Sequence, residues 1–343
     1  MNMKKYLIRR IIMFFLVLVG VSILSFTLIS LFGKDPAEMI ARRTNINATY
    51  EQIEEVRKNL ELDQPLPIRY FNWIIGRAKG DVGTSIYTFN PIMEDISLYF
   101  PTSLALVGLS LFWVIILAVP ISLLCAKKPG KAADHAVRAG SIVGLSFPTF
   151  WLGFLLLIVL AVRHKLFTVL PEPGIKGYIL PSFALALPIA SGFIRVFRAS
   201  LLREMNSDYA DYARARGFSD GRILVHHEFR NALPPVVTMM CQYLGYLIAG
   251  GAVVENVFTL NVLGTYLVGC VSAADSTAVA TCAVIIAAIF VAANFIGDIM
   301  NSARSAMYSH PEMLVYPGLC ILIAAFGFNL FGESLRDLLE DGK

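Results

Sequence analysis

Long apolar runs separated by short polar connectors, several of them basic, make up most of the chain. A run of about 18 or more apolar residues can cross the roughly 30 Å hydrocarbon core of a bilayer as a helix, since only a helix pairs its own backbone groups there. Such runs fall near 11–32, 102–126, 139–162, 178–194, 233–257, 277–300 and 313–331. The fourth is the weakest, because Pro181 and Pro188 interrupt it and Arg195 and Arg198 close it. The pattern predicts an all-α integral membrane protein with six or seven spanning helices.

Composition agrees. Of 343 residues, 56% are hydrophobic and 16% charged, too little polar surface to clothe a soluble globule of this size. The first run follows Lys4, Lys5, Arg9 and Arg10 as in a signal peptide, but it is long and no small-residue cleavage site follows, so it reads as a retained helix. Cys125, Cys241, Cys270, Cys282 and Cys320 are scattered, mostly in apolar runs, without CxxC or metal-ligand spacing, and read as packing residues.

Charge sets the orientation. Cytoplasmic loops collect Lys and Arg. One set of alternate connectors holds the N-terminal cluster, then Lys127, Lys128, Lys131 and Arg138, then Arg195, Arg198, Arg203, Arg214, Arg216, Arg222 and Arg230. The other holds Arg163, Lys165 and Lys176, with no Lys or Arg between Val257 and Thr277. The N-terminus is therefore expected inside, and 34–101 outside as a small cap. Within that cap Thr49 and Gln52 have capping-box spacing, with Ile53, Val56 and Leu60 on one helix face. Prolines 65 and 67 predict an extended stretch over 62–67, and 80–83 reads as a turn.

The connector between Arg195 and Leu233 is too well punctuated for a loose linker. Ser207 or Asp208 can cap a helix whose first turn carries Asp208 and Asp211 and whose last carries Arg214 and Arg216, with Gly217 ending it. Ser219 starts a second helix that runs through Ile223, Leu224 and Phe229 until Pro234 and Pro235 mark the next span. Ala210, Ala213 and Gly217 form a stripe nearly without side chains, where a partner's backbone can approach. Tyr209, Tyr212 and Arg216 beside it are of the types enriched at interfaces. The plainer alternative is a helix pair resting on lipid headgroups, its arginines drawn to anionic lipid.

The residues 208–217, Asp-Tyr-Ala-Asp-Tyr-Ala-Arg-Ala-Arg-Gly, followed by Arg230, Asn231, Ala232, Leu233, Pro234 and Pro235, resemble the cytoplasmic signature loop of permeases in peptide and nickel importers of the ATP-binding-cassette class, most of all their B-type subunit. Arg9–Arg10, Leu62 to Leu66, Gly80 to Ser85, Ser146 to Gly153 and Ile179 to Pro181 stand where such a subunit has them, so the resemblance covers about 1–303. It implies a six-helix permease core, with an N-terminal transmembrane helix at 1–33, an extracytoplasmic cap at 34–101 and the core at 102–303 with its coupling loop at 200–232; the apolar run at 313–331 adds an expected extra C-terminal transmembrane helix in a tail at 304–343. It implies coupling to an ATPase through Tyr209, Ala210, Tyr212, Ala213, Arg216, Gly217, Arg230 and Asn231. Its implied partners are two ATP-binding-cassette ATPase subunits, a second C-type permease subunit, an extracytoplasmic solute-binding protein and membrane lipid, with no nucleic acid. The implied place is the bacterial cytoplasmic membrane, multi-pass, with the N-terminus inside. ATP would sit on the partner subunits. The chain itself has no GxxxxGK[ST] loop, and no catalytic residue, cofactor or metal site is expected of it.

Two stretches depart from the family pattern. Between Glu255 and Gly264 the usual Trp-Pro-Gly is missing, so the outer turn is expected to be looser or differently shaped. At the other end, Asn294 to Met300 recurs as Asn329 to Leu335, and 304–343 resembles the ending of a C-type permease, as if neighbouring genes had been joined in frame. His226, His227 and Glu228 lack HExxH spacing and read as a solvated helix face. Met239, Met240 and Cys241 read as packing rather than a soft-metal path. Glu255 and Asp298 lie near helix ends, where they can reach water. The main alternative function is a stand-alone secondary transporter driven by an ion gradient, which predicts inverted repeats and mid-membrane acids that the chain does not clearly show. A membrane-embedded enzyme lacks a nucleophile, base or metal motif.

Overall fold

The computed structural model describes residues 3–32, 35–172 and 174–302, and it is helical nearly throughout. The expected seventh span at 313–331, the 304–343 tail and Cys320 lie outside the described residues. In chain order the helices are α1 (Met3–Phe32), α2 (Pro36–Thr44), α3 (Tyr50–Asn59), α4 (Leu66–Ala78), α5 (Ile92–Lys127), α6 (Ala132–Ser146), α7 (Thr149–Leu156), α8 (Lys176–Met205), α9 (Asp208–Ala215), α10 (Asp220–Ile223), α11 (Phe229–Gly250), α12 (Ala252–Val257), α13 (Leu263–Ser272) and α14 (Ser276–Ser302). Wider π-helical turns at Leu157–Arg163 and Leu224–Glu228 prolong α7 and join α10 to α11.

Among the described residues, four helices are long and apolar enough to cross a membrane, and the bent pair formed by 132–146 and 149–163 makes up to five. The span expected at 139–162 is thus broken, with a bend of 97°. Pro148 is the cause, since it forces Phe147 into extended backbone (φ −78°, ψ 127°). The span that looked weakest becomes α8, continuous through Pro181 and Pro188, with 67% of its apolar window buried in the chain against 11% for α1. Helix α8 is therefore the hub that other helices cover, while α1 leaves most of its surface uncovered by the rest of the chain. The helix α11 runs 22 residues and holds Pro234 and Pro235 in its first turns. Those prolines sit inside it rather than marking its start.

The chain divides into two compact units. In the one made of Met1–Ser103 and Asn261–Ala292, α4 packs against α1 and α14 through Phe26, Trp73 and Ala280, flanked by Tyr70, Ile74 and Val284. The Thr49 capping box forms as expected. The stretch over 62–67 is not extended as expected: the Leu62 N–H donates to the Arg57 carbonyl (3.0 Å) at the end of α3, the Gln64 N–H turns back to the Glu61 carbonyl (3.4 Å), and only Pro65 takes extended backbone (ψ 139°) before α4 begins at Leu66, because Pro67 in a first turn lacks only an N–H that would be unpaired anyway. Asp275 is buried and caps α14 by accepting from the Ala278 N–H (2.9 Å), while its other oxygen accepts from Ser85 Oγ (2.8 Å) and the Ile86 N–H (2.6 Å). One carboxylate thereby pins the turn after 80–83 to the head of α14.

In the unit holding Leu104–Leu260, α8 packs against α6, α7 and α11. A Cβ on Gly144 of α6 would stand 2.2 Å from Ser191 Oγ of α8, so a side chain there would force Ser191 to move, as expected where small residues let two helices cross closely in membranes. Met239 lies against Gly192, and Cys241 against Gly297, which makes both packing residues. The turn after α12 is closed rather than loose. The Leu260 N–H donates to the Glu255 carbonyl (2.9 Å) and Thr259 takes the left-handed position at φ 54°. Glu255 itself is 2% exposed, so it does not sit in water as expected for a helix-end acid.

Candidate coupling loop

Helices α9 and α10 form the expected helix, tight turn and helix between α8 and α11. Asp208 and Asp211 in its first turn and Arg214 in its last agree with the helix dipole. Ser207 is the N-cap by backbone, its carbonyl accepting from the Ala210 and Asp211 N–H groups, but its hydroxyl donates back to the Glu204 carbonyl instead of capping. The far end closes as a Schellman turn. The Gly217 N–H donates to the Arg214 carbonyl (2.9 Å) and the Phe218 N–H to the Ala213 carbonyl (3.2 Å), with Gly217 at φ 83°.

Arg214 holds the loop together. Its guanidinium donates to Asp211 (2.7 Å), to Asp220 at the start of α10 (3.1 Å) and to the Met205 carbonyl at the end of α8 (2.9 Å), and lies 3.6 Å from Glu228. Those bonds, Asp220 first, raise its pKa further. Glu228, expected on a solvated face, is 1% exposed, and one of its oxygens accepts no hydrogen bond among the described residues. Burial pushes its pKa up against the pull of Arg214. Its neighbours His226 and His227 are exposed as read. Sequence reading missed this cluster, although Arg214 three residues after Asp211 was a visible signal of a helix-face pair.

The residues expected to couple divide into two groups. Ala210 is 0% exposed and so faces the chain itself, and the bare stripe turns outward only toward Gly217. Tyr209 is half-buried, with its hydroxyl donating to Glu204 of α8 (3.1 Å) and within hydrogen-bonding reach of Asn231 of α11. Burial raises its pKa. Tyr209, Ala210 and Asn231 are thus brought together as an inward anchor. Tyr212 is 66% exposed with the Arg216 guanidinium 5.7 Å from its ring, and Arg216, Gly217 and Arg230 are exposed, with Ala213 half-buried between the two groups.

Behind the loop, Arg198 of α8 makes a bidentate pair with Asp134 of α6, both contacts at 2.5 Å, and Asp134 also accepts from the Gly130 N–H (2.9 Å). Asp134 is 1% exposed. Arg198 therefore works as an internal clamp as well as a member of the basic connector. Among the described residues no three His, Cys, Asp or Glu side chains gather as metal ligands.

Residues 118–306 match the family described as binding-protein-dependent transport system inner membrane component, and residues 3–107 match the N-terminal region of such membrane components. The chain is 33% identical to the oligopeptide transport system permease protein AppB of Bacillus subtilis over 312 residues, 87% of this chain and 97% of that protein. It is 32% identical to the glutathione transport system permease protein GsiC of Salmonella typhi and of Escherichia coli K12 over 301 residues, 88% of this chain and 97% of each relative. The family match ends at residue 306, so all but the first three residues of the 304–343 tail lie beyond it. The chain belongs to the binding-protein-dependent transport system inner membrane components, as a B-type permease subunit of an importer whose ATPase is a separate subunit.

Proposed function

We infer that this permease imports peptides and that α9 is the element through which two separate ATPase subunits drive it. The observation that carries the reading is the two-sided build of the loop. Tyr209, Ala210, Arg214 and Asn231 fix α9 to the ends of α8 and α11, while Tyr212, Arg216, Gly217 and Arg230 stand in the open. A push on the exposed residues passes into two long helices without being lost in a flexible linker. Ala213 sits at the boundary and lets a partner's backbone approach. The oligopeptide and glutathione carriers among the relatives favour a peptide cargo over a nickel chelate.

In this reading the N-terminus is cytoplasmic, 34–101 is an extracytoplasmic cap that meets a solute-binding protein, and a C-type permease completes a six-plus-six helix pore in a bacterial cytoplasmic membrane. The tail at 304–343 adds a seventh crossing, gained by in-frame joining to a C-type gene. A cysteine at Tyr212 should crosslink to a copurifying ATPase, and ATP turnover of the complex should rise with binding protein and peptide. Peptide uptake with no ATP hydrolysed by any subunit would overturn the coupling role. Labelling a Gly342→Cys variant only from the cytoplasmic side would overturn the seventh crossing.

A further inference from the structure

Two cavities share a wall made by Trp73 and Arg77 of α4. The first, of about 290 Å³, is lined by Leu18 and Val19 of α1, Ile74 of α4, Met93 of α5, and Val284 and Ile285 of α14. It is apolar, and both α1 and α14 are long and apolar enough to cross a membrane. The second, of about 250 Å³, is polar, with Gln64, Arg69, Asn72, Arg77, Ser276 and Thr277 in its wall. An apolar slot beside a polar, basic one has the outline of a two-part amphiphile.

The charges sharpen the chemistry. Arg69 and Arg77 are half-buried, and neither forms an ion pair among the described residues. Arg77 is held in place, donating to the Val82 carbonyl (2.6 Å) and stacking 4.8 Å from the Trp73 ring, while its Nε finds no acceptor. Burial lowers the pKa of both guanidinium groups, against weaker opposing pulls from Asp35 on Arg69 and from Asp81 and Asp275 on Arg77. A partly desolvated cation without a counter-ion is unfavourable, and an anion seated in the same cavity offsets that. Glu61 is the one acidic side chain beside Arg69 and Arg77 in the wall of the polar cavity, so the wall itself is positive on balance, which an anionic headgroup complements.

We propose that α1, α4 and α14 hold one monoanionic phospholipid, its acyl chain in the apolar cavity and its phosphate between Arg69 and Arg77. The site stands on the membrane setting alone and is independent of the coupling role of α9. A free anion would use only the polar half and would leave the apolar cavity uncovered.

The full chain, with the subunits that copurify, is reconstituted in nanodiscs of equal phosphatidylglycerol and phosphatidylcholine, and the lipid retained after detergent exchange is read by native mass spectrometry. One phosphatidylglycerol per chain should be retained, at about fivefold preference for each guanidinium engaged. Arg69→Gln should lower that preference about fivefold, and Val284→Phe, which fills the apolar cavity, should reduce retention of both lipids. Arg77→Gln also removes the Val82 bond, so Arg77→Lys, which keeps the charge, serves as its folded control and should retain most of the preference. Equal retention of the two lipids, or an Arg69→Gln variant indistinguishable from the parent, would overturn the proposal. So would displacement of the lipid by millimolar glycerol phosphate, which would mark a site for free phosphate.

Discussion

Gly217 gives the sharpest test of the loop. It occupies the left-handed position of the Schellman turn at φ 83°, and a Cβ built there would meet nothing within 4 Å. Any penalty for a side chain is therefore conformational rather than steric, about 1–2 kcal/mol for alanine, and smaller for Asn and Asp, which tolerate this region. At 1.4 kcal/mol per factor of ten, alanine shifts the closed cap toward a frayed one by roughly fivefold to thirtyfold. Arg214 still ties α9 to Met205 and Asp220, so the disturbance stays in the last turn, at Arg216, Gly217 and Phe218. Asn and Asp share backbone tolerance and size but differ in charge, so their difference isolates contact with a partner. In a reconstituted complex, ATP turnover stimulated by binding protein should stay near the parent level for Gly217→Asn. It should fall severalfold for Gly217→Ala and further for Gly217→Asp, with hydrogen exchange over 208–218 reporting the state of the cap. If Gly217→Asp couples as well as Gly217→Asn, the glycine does not face a partner. If Gly217→Ala matches the parent, the left-handed cap has no part in coupling.

Breaking the buried Asp134–Arg198 pair from one side should cost about 3–5 kcal/mol, while the double change Asp134→Leu with Arg198→Met should recover much of it; thermal unfolding in detergent measures both, and additive losses would count against a direct pair. Glu228 has a raised pKa in the folded chain, so its neutral form is favoured: its stabilising share is complete below its unfolded value near 4.5 and is lost as pH rises through the higher folded value. Glu228→Gln should therefore flatten the pH dependence of loop protection seen by hydrogen exchange and leave the loop no weaker at neutral pH; a variant that frays there would contradict this sign. Asp275→Ala removes the α14 cap and strands the Ser85 hydroxyl and Ile86 N–H, a loss of about 2–4 kcal/mol that should expose 80–90 to protease, and unchanged cleavage would count against the pin.

Much of the architecture was legible from local chemistry. Apolar length predicted α1, α5, α8 and α14, Thr49 with Gln52 predicted a capped helix, and Asp208, Gly217 and Ser219 marked the start, stop and restart of the helices between α8 and α11. These signals are local, because each depends on residues within a turn or two and on backbone rules that hold in any context. Proline was read less well. Pro148 broke a span that composition made continuous, whereas Pro181, Pro188, Pro234 and Pro235 were absorbed into α8 and α11, the two helices with the most contact between them, where packing offsets a lost N–H.

What the chain could not declare by itself was which polar residues turn inward. Glu228 beside two exposed histidines, Asp275 in a short turn, Asp134 near a helix start and Ala210 on a bare stripe all look like surface in one dimension. Each is buried because a partner from far along the chain, or a helix end packed over it, takes the place of water. The length of apolar runs thus located most of the candidate membrane spans, and capping and turn residues located the bends of the 207–219 connector. Tertiary structure alone decided which charges are paired inside and which stand free to meet another molecule, because burial is a property of neighbours and not of sequence spacing.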